Sequence, residues 1–185
     1  MATANSRETV ATEPAVGPTR YRIPRWVAVI GWPVASGAAY AAFPVAISRH
    51  GPRLGWRDGQ PGRANLLGLG PLGLGAVLVV WTLVMHYTAA PREGWAVTRR
   101  LAPEYLLTQG PYRVTRNPMY IGGLAIWTGW TILLGSPPVA GTLVLGLAVM
   151  RRGVELEERS LAKHYGDEWR SYAARTPRWL RQTHG

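Results

Sequence analysis

Three stretches of the chain carry no Asp, Glu, Lys or Arg: Trp26–Ser48, Ala64–Pro91 and Asn117–Met150. Runs of at least about 18 apolar residues mark helices that cross a bilayer, where no water satisfies an exposed backbone. The first two stretches each suit one helix. The third, 34 residues long, is too long for one comfortable crossing. It also contains Gly135-Ser136-Pro137-Pro138, a sequence that breaks a helix. It predicts a hairpin, roughly 118–134 and 138–150. Mean hydropathy is only −0.04 because apolar and charged residues are segregated. The predicted architecture is all-α: an integral membrane bundle of about four transmembrane helices, ending in a helical hairpin and a cytosolic amphipathic helix.

The net charge of +11 is what a nucleic-acid binder would also show, but position argues for membrane topology. Four of the 21 Lys and Arg lie in the tail up to Arg25, four in 49–63, five in 92–116, none at the hairpin tip and eight from Arg151 onward. With four crossings both termini share a side that holds 17 of the 21 cations, and the positive-inside rule makes that side cytoplasmic. The four cations of 49–63 then lie outside. No cysteine is present, which excludes disulfides, thiolate metal sites and a cysteine nucleophile. Ala39-Tyr40-Ala41 imitates a signal-peptidase site, but the apolar run exceeds a signal core and a polar tail precedes it.

Residues 1–22, rich in Thr, Ala and Pro without periodicity, predict a mobile tail, and 23–185 a single domain. Pro33 and Pro44 predict kinks in the first helix. Prolines and glycines divide 88–116 into short pieces. Beyond the hairpin, Leu161, Tyr165, Trp169 and Tyr172 form an apolar stripe at helical spacing. Gly166-Asp167 reads as the end of one helix and the cap of the next, and Thr176-Pro177 as the stop. This amphipathic segment is expected to lie on the membrane surface or to fold back over 88–116.

Several motifs carry little chemistry. Gly68-Leu69-Gly70-Pro71-Leu72-Gly73 matches G-x-G-x-x-G, but a dinucleotide site needs a strand before it and a helix after it. His50, His86, His164 and His184 show no metal-ligand spacing and predict surface or interfacial positions, so no metal site is expected. Two polar clusters say more. Glu104 to Tyr120 combines Tyr105-Leu106-Leu107, the turn Gly110-Pro111, Tyr112, Arg113 and Arg116, then Asn117 as a helix cap and Pro118 at the first helical position. Arg151, Arg152, Glu155, Glu157 and Glu158 follow the hairpin. Consecutive helical residues point about 100° apart, so at most one of Glu157 and Glu158 faces a given pocket. Each cluster alone also suits a helix start or a solvated face. Both clusters meet at one membrane surface, joined by a short hairpin, and ionisable groups there are functional candidates.

The order of these residues carries a resemblance. Gly110-Pro111-Tyr112, then Arg116-Asn117-Pro118-Met119-Tyr120-Ile121-Gly122, an apolar hairpin, Glu157-Glu158, Leu161, Tyr165-Gly166-Asp167-Glu168-Trp169, Tyr172 and Pro177-Arg178 resemble the isoprenylcysteine carboxyl methyltransferases and their relatives, including the phospholipid N-methyltransferases. The likeness covers about residues 97–180. It implies a helical membrane enzyme that uses S-adenosyl-L-methionine in a cytosolic-side pocket closed by the C-terminal region. A lipophilic acceptor would enter from the bilayer. The cofactor contacts it implies are Glu104, Tyr105, Leu106, Leu107, Tyr112, Asn117, Pro118, Met119, Tyr120 and Glu157. Two departures bear on the acceptor. Asn117 stands where the family usually has His, and Gly153 where an Arg holds the substrate carboxylate, with Arg151 and Arg152 as nearby substitutes.

The expected function is methyl transfer to a carboxylate, amine or thiol acceptor, lipophilic or small, without nucleic acid. Arg151 or Arg152 would orient a carboxylate, and Glu158 would take a proton from an amine. The alternatives are a membrane sterol-reductase-like NADPH enzyme and a non-enzymatic membrane scaffold.

Overall fold

The computed structural model describes residues 20–23, 25–89, 95–98 and 105–180. Helix dominates these segments, as the apolar stretches predict. Strand β1 (Arg20–Ile23) leads into α1 (Arg25–Gly37), a π-helical turn (Ala38–Ala42) and α2 (Phe43–Ser48). After strands β2 (Trp56–Arg57) and β3 (Gln60–Pro61) come α3 (Arg63–Leu66), α4 (Leu69–Ala89) and β4 (Trp95–Thr98). A 3₁₀ turn (Gly110–Arg113) precedes α5 (Pro118–Leu134), α6 (Pro137–Tyr165) and α7 (Asp167–Arg175). By length and composition, one helical stretch among the described residues, Arg63–Ala89, suffices to cross a bilayer. Pro33–Ser48 and Pro118–Leu134 are apolar but shorter.

Two short two-stranded ribbons accompany the helices and leave the all-α class unchanged. β1 pairs antiparallel with β4, Arg20 opposite Thr98 and Ile23 opposite Trp95, so the end of the predicted tail is a strand. β2 and β3 pair around Asp58-Gly59, whose φ angles of 49° and 75° are those of the tight hairpin turn that Asp-Gly favours.

Pro33 and Pro44 were expected to kink the first helix. The irregularity is the π-helical turn between them, and Pro44 explains part of it. Proline has no N–H, so the Tyr40 carbonyl four residues earlier loses its helical donor. Trp130 of α5 supplies the replacement, its indole Nε1 donating to Tyr40 O at 2.6 Å. A backbone gap in one helix thereby fastens it to another.

Helices α4 and α5 pack at backbone contact. Gly68 lies against Gly129 and Gly75 against Gly122, both pairs seven residues apart in an antiparallel arrangement. A Cβ on Gly75 would sit 2.5 Å from the Gly122 carbonyl oxygen, and one on Gly122 2.8 Å from Val79 Cγ2. Small residues at such positions let apolar helices associate by close packing. The formal G-x-G-x-x-G match is thus helical: it straddles the start of α4, and its Gly68 is spent on packing.

The hairpin forms where expected. Gly135 caps α5 in the left-handed conformation, φ 57°, which favours glycine. The last carbonyls of α5 find donors in the preceding loop: Asn65 Nδ2 bonds Ile132 O at 2.9 Å, Trp56 Nε1 bonds Leu133 O at 3.0 Å, and Leu54 N bonds Gly135 O at 2.8 Å. Loop 49–63 and the hairpin tip therefore share one end of the molecule. The end of α4, Tyr105–Asn117, the charged half of α6 and α7 share the other. α6 continues the second arm of the hairpin, expected over roughly 138–150, past Met150 to Tyr165. It runs 29 residues, about 43 Å, and carries Arg151 through Glu158 on one continuous helix.

Candidate functional site

The start of α5 is held by a strap from the C-terminus. Gly166, φ 54°, ends α6, and α7 folds back with Trp169 and Tyr172 buried. Of the two expected placements for the amphipathic segment, this is the fold-back over the long connection. Tyr172 OH donates to Tyr112 O at 2.7 Å. Past α7, Arg116 N donates to Pro177 O at 3.0 Å. Arg178 O accepts from Thr115 Oγ1 at 2.9 Å and Asn117 Nδ2 at 3.0 Å. Asn117 was expected to cap α5 with its side chain; it makes no such bond, because its amide is committed to the strap. Only its backbone carbonyl takes the helical role, accepting from Ile121 N at 3.1 Å.

A charge cluster underlies the strap. Glu158, 9 % exposed, accepts two bonds on Oε2 from Arg178, Nε at 3.0 Å and Nη2 at 2.6 Å. Arg116 Nε lies 3.5 Å from its Oε1, and the Arg116 guanidinium stacks 5.6 Å over the Trp169 ring. The carboxylate bonds hold the Arg178 pKa above its ordinary value.

Glu157, the next residue, points elsewhere. Its Oε2 accepts from Tyr120 OH at 2.9 Å, bridging the first turn of α5 to the distal half of α6. Surrounding protein desolvates this carboxyl and raises its pKa; the Tyr120 bond acts the other way, and the charge of Glu158 adds to the rise. Glu157 nevertheless keeps an exposed face, so solvent limits the shift. The separation of the two glutamates is the one their helical spacing predicts.

Beside this pair, Tyr105-Leu106-Leu107 runs half-buried, without regular structure, into the 3₁₀ turn that carries Tyr112. Burial pushes the Tyr105 hydroxyl up to about 12 and raises that of Tyr112, so both stay protonated at neutral pH. Their partner was missed in the sequence. His86, in the last turn of α4, was expected at the surface or interface, yet it meets Tyr105 OH through Nδ1 at 3.1 Å and Tyr112 OH through Nε2 at 2.9 Å. Its one legible signal was a polar side chain closing an apolar helix. Pairing it with tyrosines 19 and 26 residues away requires the chain reversal that the sequence does not show.

The remaining candidates divide. Pro118 is buried and Met119 half-buried at the start of α5. Arg151 lines an open apolar cleft of about 290 Å³ with Leu124, Leu147, Met150 and Trp179. Tyr120 and Leu124 are one turn apart on α5, which sets the cleft directly next to the Tyr120–Glu157 bridge. Arg152 is 73 % exposed and pairs with Glu155 at 3.4 Å, away from the bridge. A side chain at Gly153 would meet open space. Glu104 lies outside the described residues.

The family model for phospholipid methyltransferase matches residues 65–168, from α3 through the start of α7, and so includes both Tyr120 and Glu157. The chain is also 30% identical over 119 residues to methanethiol S-methyltransferase of Pseudomonas deceptionensis, covering 62% of this chain and 44% of that protein. It therefore spans less than half the length of that relative. No solved structure matches it significantly. Together with the residues that carried the resemblance, the match over more than half the chain establishes that this protein belongs to the phospholipid methyltransferase family.

Proposed function

We propose that the protein transfers a methyl group from S-adenosyl-L-methionine to a compact acceptor at the cytosolic face of the membrane. The observation that carries this reading is the Tyr120–Glu157 bridge of 2.9 Å, which joins two motifs 37 residues apart in sequence at one end of the bundle. The residues present suit the cofactor. Glu157 offers a carboxylate with an exposed face to an ammonium group or ribose hydroxyls, and Tyr105, Leu106, Leu107 and Tyr112 offer apolar and aromatic walls to a purine. At the helix start Pro118 has no N–H and Asn117 N donates to Thr115 Oγ1, which leaves the amides of Met119 and Tyr120 as the donors an anionic group could use. Glu104 would complete the set. When bound, the cofactor supplies an already activated methyl group, so the protein's contribution is orientation and exclusion of water.

The cleft of Leu124, Leu147, Met150, Arg151 and Trp179 would admit the acceptor. Its volume of about 290 Å³ is at the small end of ligand sites and favours a compact molecule. Arg151 would orient an anionic one, a thiolate or carboxylate, which reacts without a base. Glu158, the sequence candidate for a base, has Oε2 bonded twice by Arg178 and Oε1 buried 3.5 Å from Arg116 Nε, and it serves the strap instead. The relative's name places a small thiol first among acceptors to try, and the family's name a phospholipid amine second.

We also place the chain as a multi-pass membrane protein with four crossings and both termini cytoplasmic. The exposed apolar side chains Val144, Leu145, Leu147 and Val149 of α6 support lipid contact along the hairpin. Residues 23–185 would act as one domain.

The test is calorimetry with S-adenosylhomocysteine on protein purified in detergent. Binding is expected, and Glu157→Ala should abolish it. A folded wild-type protein that takes up no ligand refutes the cofactor assignment. Incubation with methyl-labelled cofactor and either small thiols or membrane lipids, read by mass spectrometry, identifies the acceptor.

A further inference from the structure

We propose that His86 is a positioning residue for the cofactor pocket: its imidazole clamps the hydroxyls of Tyr105 and Tyr112 and so sets the spacing of the two aromatic walls. The inference rests on the cofactor assignment above and adds a residue from α4, outside both motifs. His86 bonds Tyr105 through Nδ1 at 3.1 Å and Tyr112 through Nε2 at 2.9 Å. The rings stand 5.8 and 6.0 Å away between centroids, tilted by 55° and 87°. One side chain thus spans the two tyrosines.

The proton inventory fits a neutral imidazole. Tyr105 OH is also within reach of His86 O, donating at 3.3 Å, so it accepts from Nδ1–H. Nε2 then accepts from Tyr112 OH. Each hydroxyl has one direction, and each ring is fixed by it.

Two further contacts hold the same segment in place, one from α4 and one from α7. A Cβ on Gly110, φ 55°, would lie 2.8 Å from Met85 Sδ, so the turn before Tyr112 lies directly on the helix one residue from His86. Tyr172 OH, at 2.7 Å from Tyr112 O, holds the tyrosine from the strap side. Tyr112 is therefore fixed at its hydroxyl by α4 and at its backbone by α7. Rigid walls hold a planar group better than mobile ones, because less motion is lost on binding.

The experiment is a double-mutant cycle on S-adenosylhomocysteine affinity, measured by calorimetry in detergent. His86→Leu is expected to weaken binding about tenfold, with Tyr112→Phe and Tyr105→Phe each weakening it severalfold. In the His86→Leu background the tyrosine substitutions should add little, because the bonds they remove are already gone. His86→Gln, which can both donate and accept, should recover part of the loss. With an acceptor in hand, the KM for cofactor should rise by more than kcat falls. Trp130→Phe, which removes a half-buried bond at the other end of the bundle, is the control and should keep wild-type affinity. Should His86→Leu fail to fold, Tyr112→Phe, which keeps the ring, decides the matter. Unchanged affinity in that variant or in folded His86→Leu, fully additive losses, or an equal loss in Trp130→Phe overturns the proposal. In each case wild-type binding still stands, which separates this failure from failure of the cofactor assignment.

Discussion

Removing the Glu158 carboxylate should release the C-terminal strap, by an amount the geometry sets. Arg178 donates two bonds to Glu158 Oε2, at 3.0 and 2.6 Å. A bond to a charged group contributes about 1.5–3 kcal/mol. The lower end applies, because the Arg178 side chain is 41 % exposed and water screens the pair. Arg116, 15 % exposed, stays beside Glu158 whether or not the strap is docked, so its contact does not count toward docking. Three backbone carbonyl contacts, from Thr115, Arg116 and Asn117, persist in the variant. Glu158→Ala should therefore raise the open population by about tenfold, the equivalent of about 1.4 kcal/mol. Limited trypsinolysis reads this directly: Arg175-Thr176 and Arg178-Trp179 are cleavable bonds within the strap, and cleavage tracks the open population when reclosing is fast. Asn117→Ala should add a further several-fold, because it removes a different contact to the same segment. Cleavage rates unchanged in folded Glu158→Ala would refute the strap as an ionically held element. They would also return Glu158 to the pool of candidate bases.

Glu157→Gln should separate stability from binding. A carboxyl whose pKa is raised on folding makes the folded state less stable as it ionises, so wild-type stability falls as pH rises from the ordinary carboxylate range through the raised value. The variant lacks that loss and should unfold at a higher temperature than wild type at neutral pH, with no difference at low pH. Its affinity for S-adenosylhomocysteine should still drop by about tenfold or more. Gly75→Leu should prevent α4 and α5 from closing, costing upward of about 3 kcal/mol and appearing as loss of folded protein on size-exclusion chromatography. Trp130→Phe leaves Tyr40 O without a donor and should cost about 1–3 kcal/mol in thermal unfolding. Arg152→Ala should stay within about 0.5 kcal/mol and keep wild-type activity, whereas Arg151→Ala should raise the KM for an anionic acceptor.

What could be read from the sequence follows the range of the physics involved. The helices, the hairpin turn, the break at Gly166 and the divergence of Glu157 from Glu158 depend on neighbours within a few turns, where periodicity, proline and glycine decide. The Asp58-Gly59 hairpin is equally local, but its strands are two residues each, too short to show the alternation that marks a strand. The pairing of β1 with β4, the bond from Trp130 to Tyr40 and the His86 clamp depend on partners 19 to 90 residues distant, and nothing in a linear pattern ranks such partners. Asn117 shows how the two scales compete. Local rules made it a helix cap, and it would be one in an isolated peptide. The strap offers its amide the half-buried Arg178 carbonyl instead, and that bond replaces capping in a helix whose first position is already a proline.

The two glutamates show the same logic applied to function. About 100° of helical rotation sends Glu158 inward to two guanidiniums and Glu157 across to a single tyrosine hydroxyl. A carboxylate neutralised twice by fixed cations has little affinity left for a ligand cation. One that is desolvated, bonded once and still partly exposed retains it. The same pair of residues thus closes the strap with one member and leaves the other to face whatever the strap encloses. Exchanging the arginines for neutral residues should therefore loosen the closure without moving Glu157. The expected sign is a faster dissociation of S-adenosylhomocysteine from Arg178→Gln in stopped-flow displacement, with association changed less. Dissociation no faster than wild type would mean that the strap packs against the site without covering it.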